Sequence, residues 1–215
     1  MKTTEDKRKE RKKQSGECFT PPSLTNSMLD KLTEYSNKDF WKDETKTFLD
    51  SAVGNGNMLI CVLKRKLSHN HNPLQALSTL FGTDIMQDNI IECRLRLLKV
   101  FYSHTKSLHI KEVRQQAIKI VFTNIICTPL SRYPMGSLDY DFSFPDKLPK
   151  STLKIMEDWE KNIIEWLENV DEDKGIIGEL NTKGTKEKLN QLNTITTPEE
   201  NAEDGEDESI LDWMK

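Results

Sequence analysis

The stretch "FLDSAVGNGNMLICVLKRKL", Phe48 to Leu67, decides the fold. An apolar run ends in an acid, Asp50, a turn carrying Gly54 and Gly56 follows, and an apolar-rich segment then begins near Met58. "TKTFLDSAV" reads as a short buried strand, and the segment from about Met58 to Lys66 reads as a helix. Glycines between a strand and a helix permit a tight turn and let the main chain approach a ligand closely. The start of the helix beyond them offers unpaired N–H groups and a partial positive charge.

The same pattern recurs downstream. "STLFGTDI" reads as a second strand ending at Asp84, reached through "SHNHNPLQAL", a connection with a short helix after Pro73. In "DIMQDNIIECRLRLLKVFYSH", Ile90, Ile91, Arg94, Leu95, Leu98 and Phe101 follow a helical period. "VRQQAIKIVFTNIICTPL" ends in a third strand around Asn124 to Cys127. Upstream, the prolines of "FTPPSLTNSMLDKLTEY" stop whatever precedes them, and Ser23 is the expected N-cap of a helix carrying Leu24, Met28, Leu29, Leu32 and Tyr35. "PLSRYPMGSLDYDFSFPDKLPKS" reads as loop, and "STLKIMEDWEKNIIEWLENV" as an amphipathic helix with Met156, Trp159, Ile163, Leu167 and Val170 on one stripe. Strand and helix alternating three times predict an α/β domain with a parallel sheet.

With 215 residues, 31% charged and 35% hydrophobic, and a mean hydropathy of -0.66, the chain reads as one soluble domain with tails. No apolar run approaches the roughly 18 residues of a membrane span, and "MKTTEDKRKERKKQSGE" has no apolar core of the kind a secretory signal needs. Cys18, Cys61, Cys93 and Cys127 are widely spaced, as expected of reduced cytoplasmic thiols, and no metal site is expected. Charge is polarised along the chain. Residues 1–17 read as a basic disordered arm, which either contacts phosphates or is simply solvated. Residues 173–215 read as an acidic disordered tail, ending in an apolar "SILDWM" that is either a docking motif or a stray hydrophobic end. Between them lie a core domain, 18–147, and the amphipathic helix, 148–172.

In open α/β sheets ligands sit beyond the carboxyl ends of the strands, where Asp50 and Asp84 both fall. Asp84 occupies the place where doubly wound folds put a carboxylate on ribose hydroxyls, although it follows the glycines by nearly 30 residues, against a usual spacing of about 20. The turn alone fits a nucleotide site, a generic tight turn or a capped helix start. Placing both acids at strand ends favours the nucleotide site, and the lack of a Gly-Lys-Ser/Thr sequence after the glycines argues against a phosphate-cradling NTPase loop.

"FTPPSLTNSML", "FLDSAVGNGNML" and "FGTDIMQDNIIECRLRLL" together resemble the S-adenosylmethionine-binding half of adenine-specific DNA methyltransferases, as found in the modification subunits of restriction systems and their short phage relatives. The resemblance covers roughly residues 18–130. It implies a Rossmann-like methyltransferase fold, here only the cofactor-binding half of the sheet plus the C-terminal helix, in a bacterial or phage-infected cytoplasm. It also implies that Thr20 and Pro21 cover the methionine end of the cofactor. Asp50 through Gly56 would correspond to the family's Asp-Pro-x-x-Gly-x-Gly loop, with Gly54, Gly56 and Asn57 at the cofactor, Asp84 on the ribose hydroxyls and Ile85 beside the adenine ring.

The departures carry weight. Ser51 stands where the family has proline, and Thr128 where an acid commonly binds the cofactor's adenine amine. No Asn-Pro-Pro-Tyr or Asp-Pro-Pro-Tyr sequence, the family's receptor for a flipped base, occurs anywhere. No catalytic residue is therefore assigned. Two functions compete: part of a site-specific adenine methyltransferase acting on DNA, and a non-catalytic relative that binds nucleic acid or a partner. The missing fourth strand would leave one edge of strand one unpaired, to be covered by the helix from about Ser151 to Val170, by a second copy or by a partner subunit. The four histidines are expected at the surface, and Arg94, Arg96 and Lys99 on a solvated helix edge. Trp159 is expected in core or interface packing, and Asp139 and Asp141 have no role.

Overall fold

A computed structural model describes residues 4–15, 17–37, 39–127 and 150–168. The chain forms α1 (Thr4–Ser15), α2 (Pro22–Tyr35), a 3-10 turn (Phe40–Lys42), β1 (Phe48–Asp50), α3 (Asn57–Ser68) and α4 (Pro73–Ser78). It continues through β2 (Leu80–Asp84), α5 (Gln87–Thr105), α6 (Lys111–Asn124), β3 (Ile125–Cys127) and α7 (Lys150–Glu168). The three strands form one parallel sheet in the order β1-β2-β3. Asp50 lies opposite Gly82, and Asp84 opposite Cys127, so the register brings all three carboxyl ends to one edge. The expected parallel α/β arrangement is present, with α3 and α4 crossing from β1 to β2 and α5 and α6 from β2 to β3.

The core is largely helical. The strands have only three, five and three residues, so they need helices packed on them to persist. α3 buries Leu59, Ile60, Val62, Leu63 and Leu67, and α5 buries Ile90, Leu95, Leu97, Leu98 and Phe101; the two helices pack on each other and on the sheet. α7 packs on α6 and α5, where Trp159 stands edge-on to Phe122 and to Trp166, at 4.9 and 5.5 Å between ring centres. Either tryptophan, at 1% exposure, would cost about 3–5 kcal/mol if truncated to alanine. Lys99 Nζ reaches from α5 to the carbonyl of Leu167 at 2.6 Å and closes that corner. The C-terminal helix thus covers the α5–α6 side of the fold, and not the free edge of β1 for which the sequence suggested it.

Other expectations are corrected. The N-terminal arm is helical over Thr4–Ser15 rather than disordered, because Arg11 finds acidic partners on the body of the protein, described below. α2 is capped by Pro21 with Pro22 as its first residue, not by Ser23, since a proline ring pre-sets the φ that a helix start requires. On α2 the core side is Thr25 and Leu29, while Leu24, Met28, Leu32 and Tyr35 remain exposed. Met28 and Leu32, with Phe48, Leu49 and Met58, line an apolar groove beside β1. His71 is buried, its Nε2 hydrogen-bonded to the carbonyl of Trp41, and Arg94 and Arg96 are buried on α5 rather than solvated.

The buried Lys66, at the end of α3, joins the approach to β1 to the start of β2. Its ammonium donates to the carbonyl of Lys46 at 2.6 Å, to Thr79 Oγ1 at 2.8 Å and, at the limit of contact, to the carbonyl of Glu44 at 3.4 Å. Burial pushes its pKa down to about 8, against the smaller opposing pull of Asp43 and Glu44. Between about 8 and the unfolded value of 10.5 the unfolded chain holds the extra proton, so raising pH favours the folded state. The stability of the wild type relative to Lys66→Met should therefore climb over that pH range by up to about 3 kcal/mol in urea titrations. A flat difference would show that the three acceptors fully offset the cost of burying the charge.

Candidate functional site

The loop between β1 and α3 is shaped from below by α5. Val53 N donates to Thr83 O at 2.9 Å, extending the sheet pairing past Asp50, and the chain then enters the left-handed region at Gly54 (φ 51°) and Gly56 (φ 90°). Gly56 is the N-cap of α3, and its carbonyl accepts from Ile60 N at 2.9 Å. Asn55, between the glycines, points its polar groups into the protein: Nδ2 donates to Glu92 Oε1 at 3.3 Å, and its main-chain carbonyl accepts from Arg96 Nη1 at 2.7 Å. A Cβ on Gly56 would lie 2.7 Å from the Sγ of Cys93, whose thiol pKa is raised by burial and which serves as neutral packing. The second glycine is thus required by the close approach of α5 from within.

The two acids meet at the loop. Asp84 Oδ2 accepts from Gly54 N at 2.9 Å and Oδ1 from Met86 N at 2.7 Å. These two N–H groups fix the carboxylate and leave each oxygen capacity for a further donor. Asp50 Oδ1 accepts from Ala52 N at 3.2 Å. Its pKa is raised, first by burial, with the charge of Asp84 adding to the shift and the Ala52 N–H opposing it. Ile85, next along, is 68% exposed at the strand edge, an apolar surface beside a carboxylate.

A strip of chain lies over this edge. Thr20 O accepts from Asn57 Nδ2 at 2.8 Å, and the ring of Phe19 occupies the space that a Cβ on Gly54 would need, 2.9 Å away. The residues singled out from the sequence therefore fall in one place: Thr20 and Pro21 on the strip, Gly54, Gly56 and Asn57 on the loop and helix start, and Asp50, Asp84 and Ile85 at the strand ends. Thr128, Asp139 and Asp141 lie outside the described residues. Among the described residues no group of three or more His, Cys, Asp or Glu side chains is placed to hold a metal ion.

The sequence reading missed the residues that support the loop, Glu92, Cys93 and Arg96, and the anchor of the strip, Arg11 with Asp88. Arg94 shares the helical period of Ile90, Ile91, Leu95 and Leu98, but that spacing alone does not show that it is buried. Its Nε and Nη2 donate to Ile125 O at 3.0 and 2.6 Å, holding β3.

The family model for N-6 DNA methylase matches residues 5–124. The chain belongs to the N-6 DNA methylase family. No curated protein and no solved structure matches it. The match begins inside α1 and ends with the last residue of α6, so the basic helix, the strip, the glycine loop and both acids all lie within the N-6 DNA methylase segment. DNA is the substrate that this family implies. Among the described residues no helix is long and apolar enough to cross a membrane.

If α5 dictates the loop, Gly56→Ala will lower stability by roughly 2–4 kcal/mol, combining a left-handed backbone with a steric clash. Adding Cys93→Ala should recover part of that loss by removing the sulfur and none of the backbone strain. Denaturant melts of the two variants provide the check, and full recovery in the double variant would show that φ at this position costs nothing.

Proposed function

We propose that this chain is the S-adenosylmethionine-binding part of a site-specific adenine methyltransferase acting on DNA. One observation carries the reading: a carboxylate, Asp84, is oriented by two main-chain N–H groups at the carboxyl edge of a parallel sheet, beside a glycine loop, with acceptor capacity to spare. That acceptor pair suits two donating ribose hydroxyls, and the exposed Ile85 suits one face of an adenine ring. Asp50 adds a second acid at the same edge, the glycines keep the loop low, and Thr20 and Pro21 form the cover over the methionine end. S-adenosylmethionine, when bound, supplies a methyl group on a sulfonium centre. The protein's share is to fix the cofactor's orientation and to exclude water, and positioning of this kind supplies much of the rate in a direct transfer.

The base pocket is to come from elsewhere. The sequence contains no Asn-Pro-Pro-Tyr or Asp-Pro-Pro-Tyr motif, and β1 has a hydrogen-bonded neighbour on one side only among the described residues. A partner subunit or a second copy would complete the sheet and accept the flipped base, as in a divided restriction–modification enzyme working in the cytoplasm. The same missing motif favours a second reading, in which the fold is kept as a non-catalytic nucleic-acid- or partner-binding subunit.

Calorimetric titration of S-adenosylmethionine into the full chain separates these readings. Binding in the micromolar range is expected, weakened at least tenfold, about 1.4 kcal/mol, by Asp84→Asn, which keeps the side chain's shape and removes its charge. No heat in the wild type would overturn the cofactor reading and leave the non-catalytic one.

A further inference from the structure

We propose that Arg11 is a positioning residue that latches the strip over the cofactor edge and so sets the rate of cofactor exchange; this rests on the cofactor reading above. α1, "TEDKRKERKKQS", contains no aliphatic or aromatic residue, so hydrophobic burial cannot hold it to the domain. Its attachment is ionic. Arg11 Nη1 donates to both oxygens of Asp88, at 2.9 and 2.7 Å, and Nε donates to Glu17 Oε2 at 3.1 Å. Asn89 Nδ2 donates to the other oxygen of Glu17 at 2.9 Å. Arg11 and Glu17 are only 16% and 13% exposed, so their pairing is less screened than a surface pair, while Asp88, at 43%, keeps its side of the cluster within reach of salt.

The cluster's place in the fold gives it leverage. Asp88 and Asn89 open α5, and Asp88 sits where a helix start favours an acid. From Glu17 the chain runs past Phe19, seated on Gly54, to Thr20, whose carbonyl is held by Asn57 at the start of α3. The strip is therefore fastened at one end to α5 and at the other to α3, the two helices that flank the glycine loop. The α3 fastening is a neutral hydrogen bond and the α5 fastening is a charge cluster. Removing the Arg11 contacts loosens that end, leaving Glu17 on α5 through Asn89 alone, without removing any residue that would touch the cofactor. Entry and exit then both quicken, and affinity changes far less than either rate.

The test follows release of radiolabelled S-adenosylmethionine from the full chain into excess unlabelled cofactor. Arg11→Gln and Asp88→Asn should each speed release roughly tenfold, with the dissociation constant moving by less than about threefold. The double variant should release no faster than the faster single one, because both changes open the same latch. Raising salt from about 0.05 to about 0.5 M should speed release from the wild type and have little effect on Arg11→Gln. A wild type that binds no label at equilibrium, before any unlabelled cofactor is added, overturns the cofactor reading itself. Retention with release unchanged in the variants overturns the latch. If a variant fails to fold, the salt series on the wild type decides, and release indifferent to salt refutes the proposal.

Discussion

The hydrogen bond from Arg96 to the carbonyl of Asn55 is the constraint on which the site depends. A loop that dips toward the core buries a carbonyl that has no strand or helix partner, and an unsatisfied acceptor there costs about 1–3 kcal/mol. Arg96, 1% exposed, supplies the donor from α5. Cys93 lies close enough to exclude any side chain at Gly56. Once the loop is seated, Gly54 N points at Asp84, and the carboxylate is locked between the loop and the N–H of Met86, two residues past β2. Loop shape, helix position and acid orientation are thus one arrangement.

Much of this could be read in the sequence, because the signals were local. A strand, a glycine turn and a helix follow one another within Phe48–Leu67, and Asp84 ends the next apolar run. What escaped was long-range. Arg94 and Arg96 look like a charged helix edge by spacing, and only the approach of the loop and β3 on that face makes it interior. His71 sits in a polar connection, and its burial depends on Trp41, 30 residues earlier. The helical N-terminus was illegible for the same reason: a stretch without apolar residues gives no periodic signal, and its partner Asp88 lies 77 residues away. The site's members were legible as residue types at strand ends. That Asp84 already holds the loop was not.

The described sheet is narrow for the load it carries. β1 and β3 have three residues each, and the exposed Leu24, Met28, Leu32 and Tyr35 of α2 continue into the apolar groove beside β1. Exposed apolar surface next to a strand edge that has no partner among the described residues is uncommon on a protein that works alone. α6 and α5, by contrast, are covered by α7, with Trp159 edge-on to Phe122 of α6.

The buried Lys66, Arg94 and Arg96 and the half-buried Lys99 share a habit: they donate to the main-chain carbonyls of Lys46, Ile125, Asn55 and Leu167. Every residue type carries a carbonyl. The helices therefore recognise the path of the chain and are indifferent to which side chain sits at the accepting position. The four donors are each tied to their identity, whereas a main-chain acceptor does not by itself fix the residue that carries it; Asn55, whose side chain also bonds Glu92, is held on a second count. Over evolutionary time the loop and strand ends can change sequence without changing shape, which lets the surface that meets a ligand diversify on a frame that stays fixed.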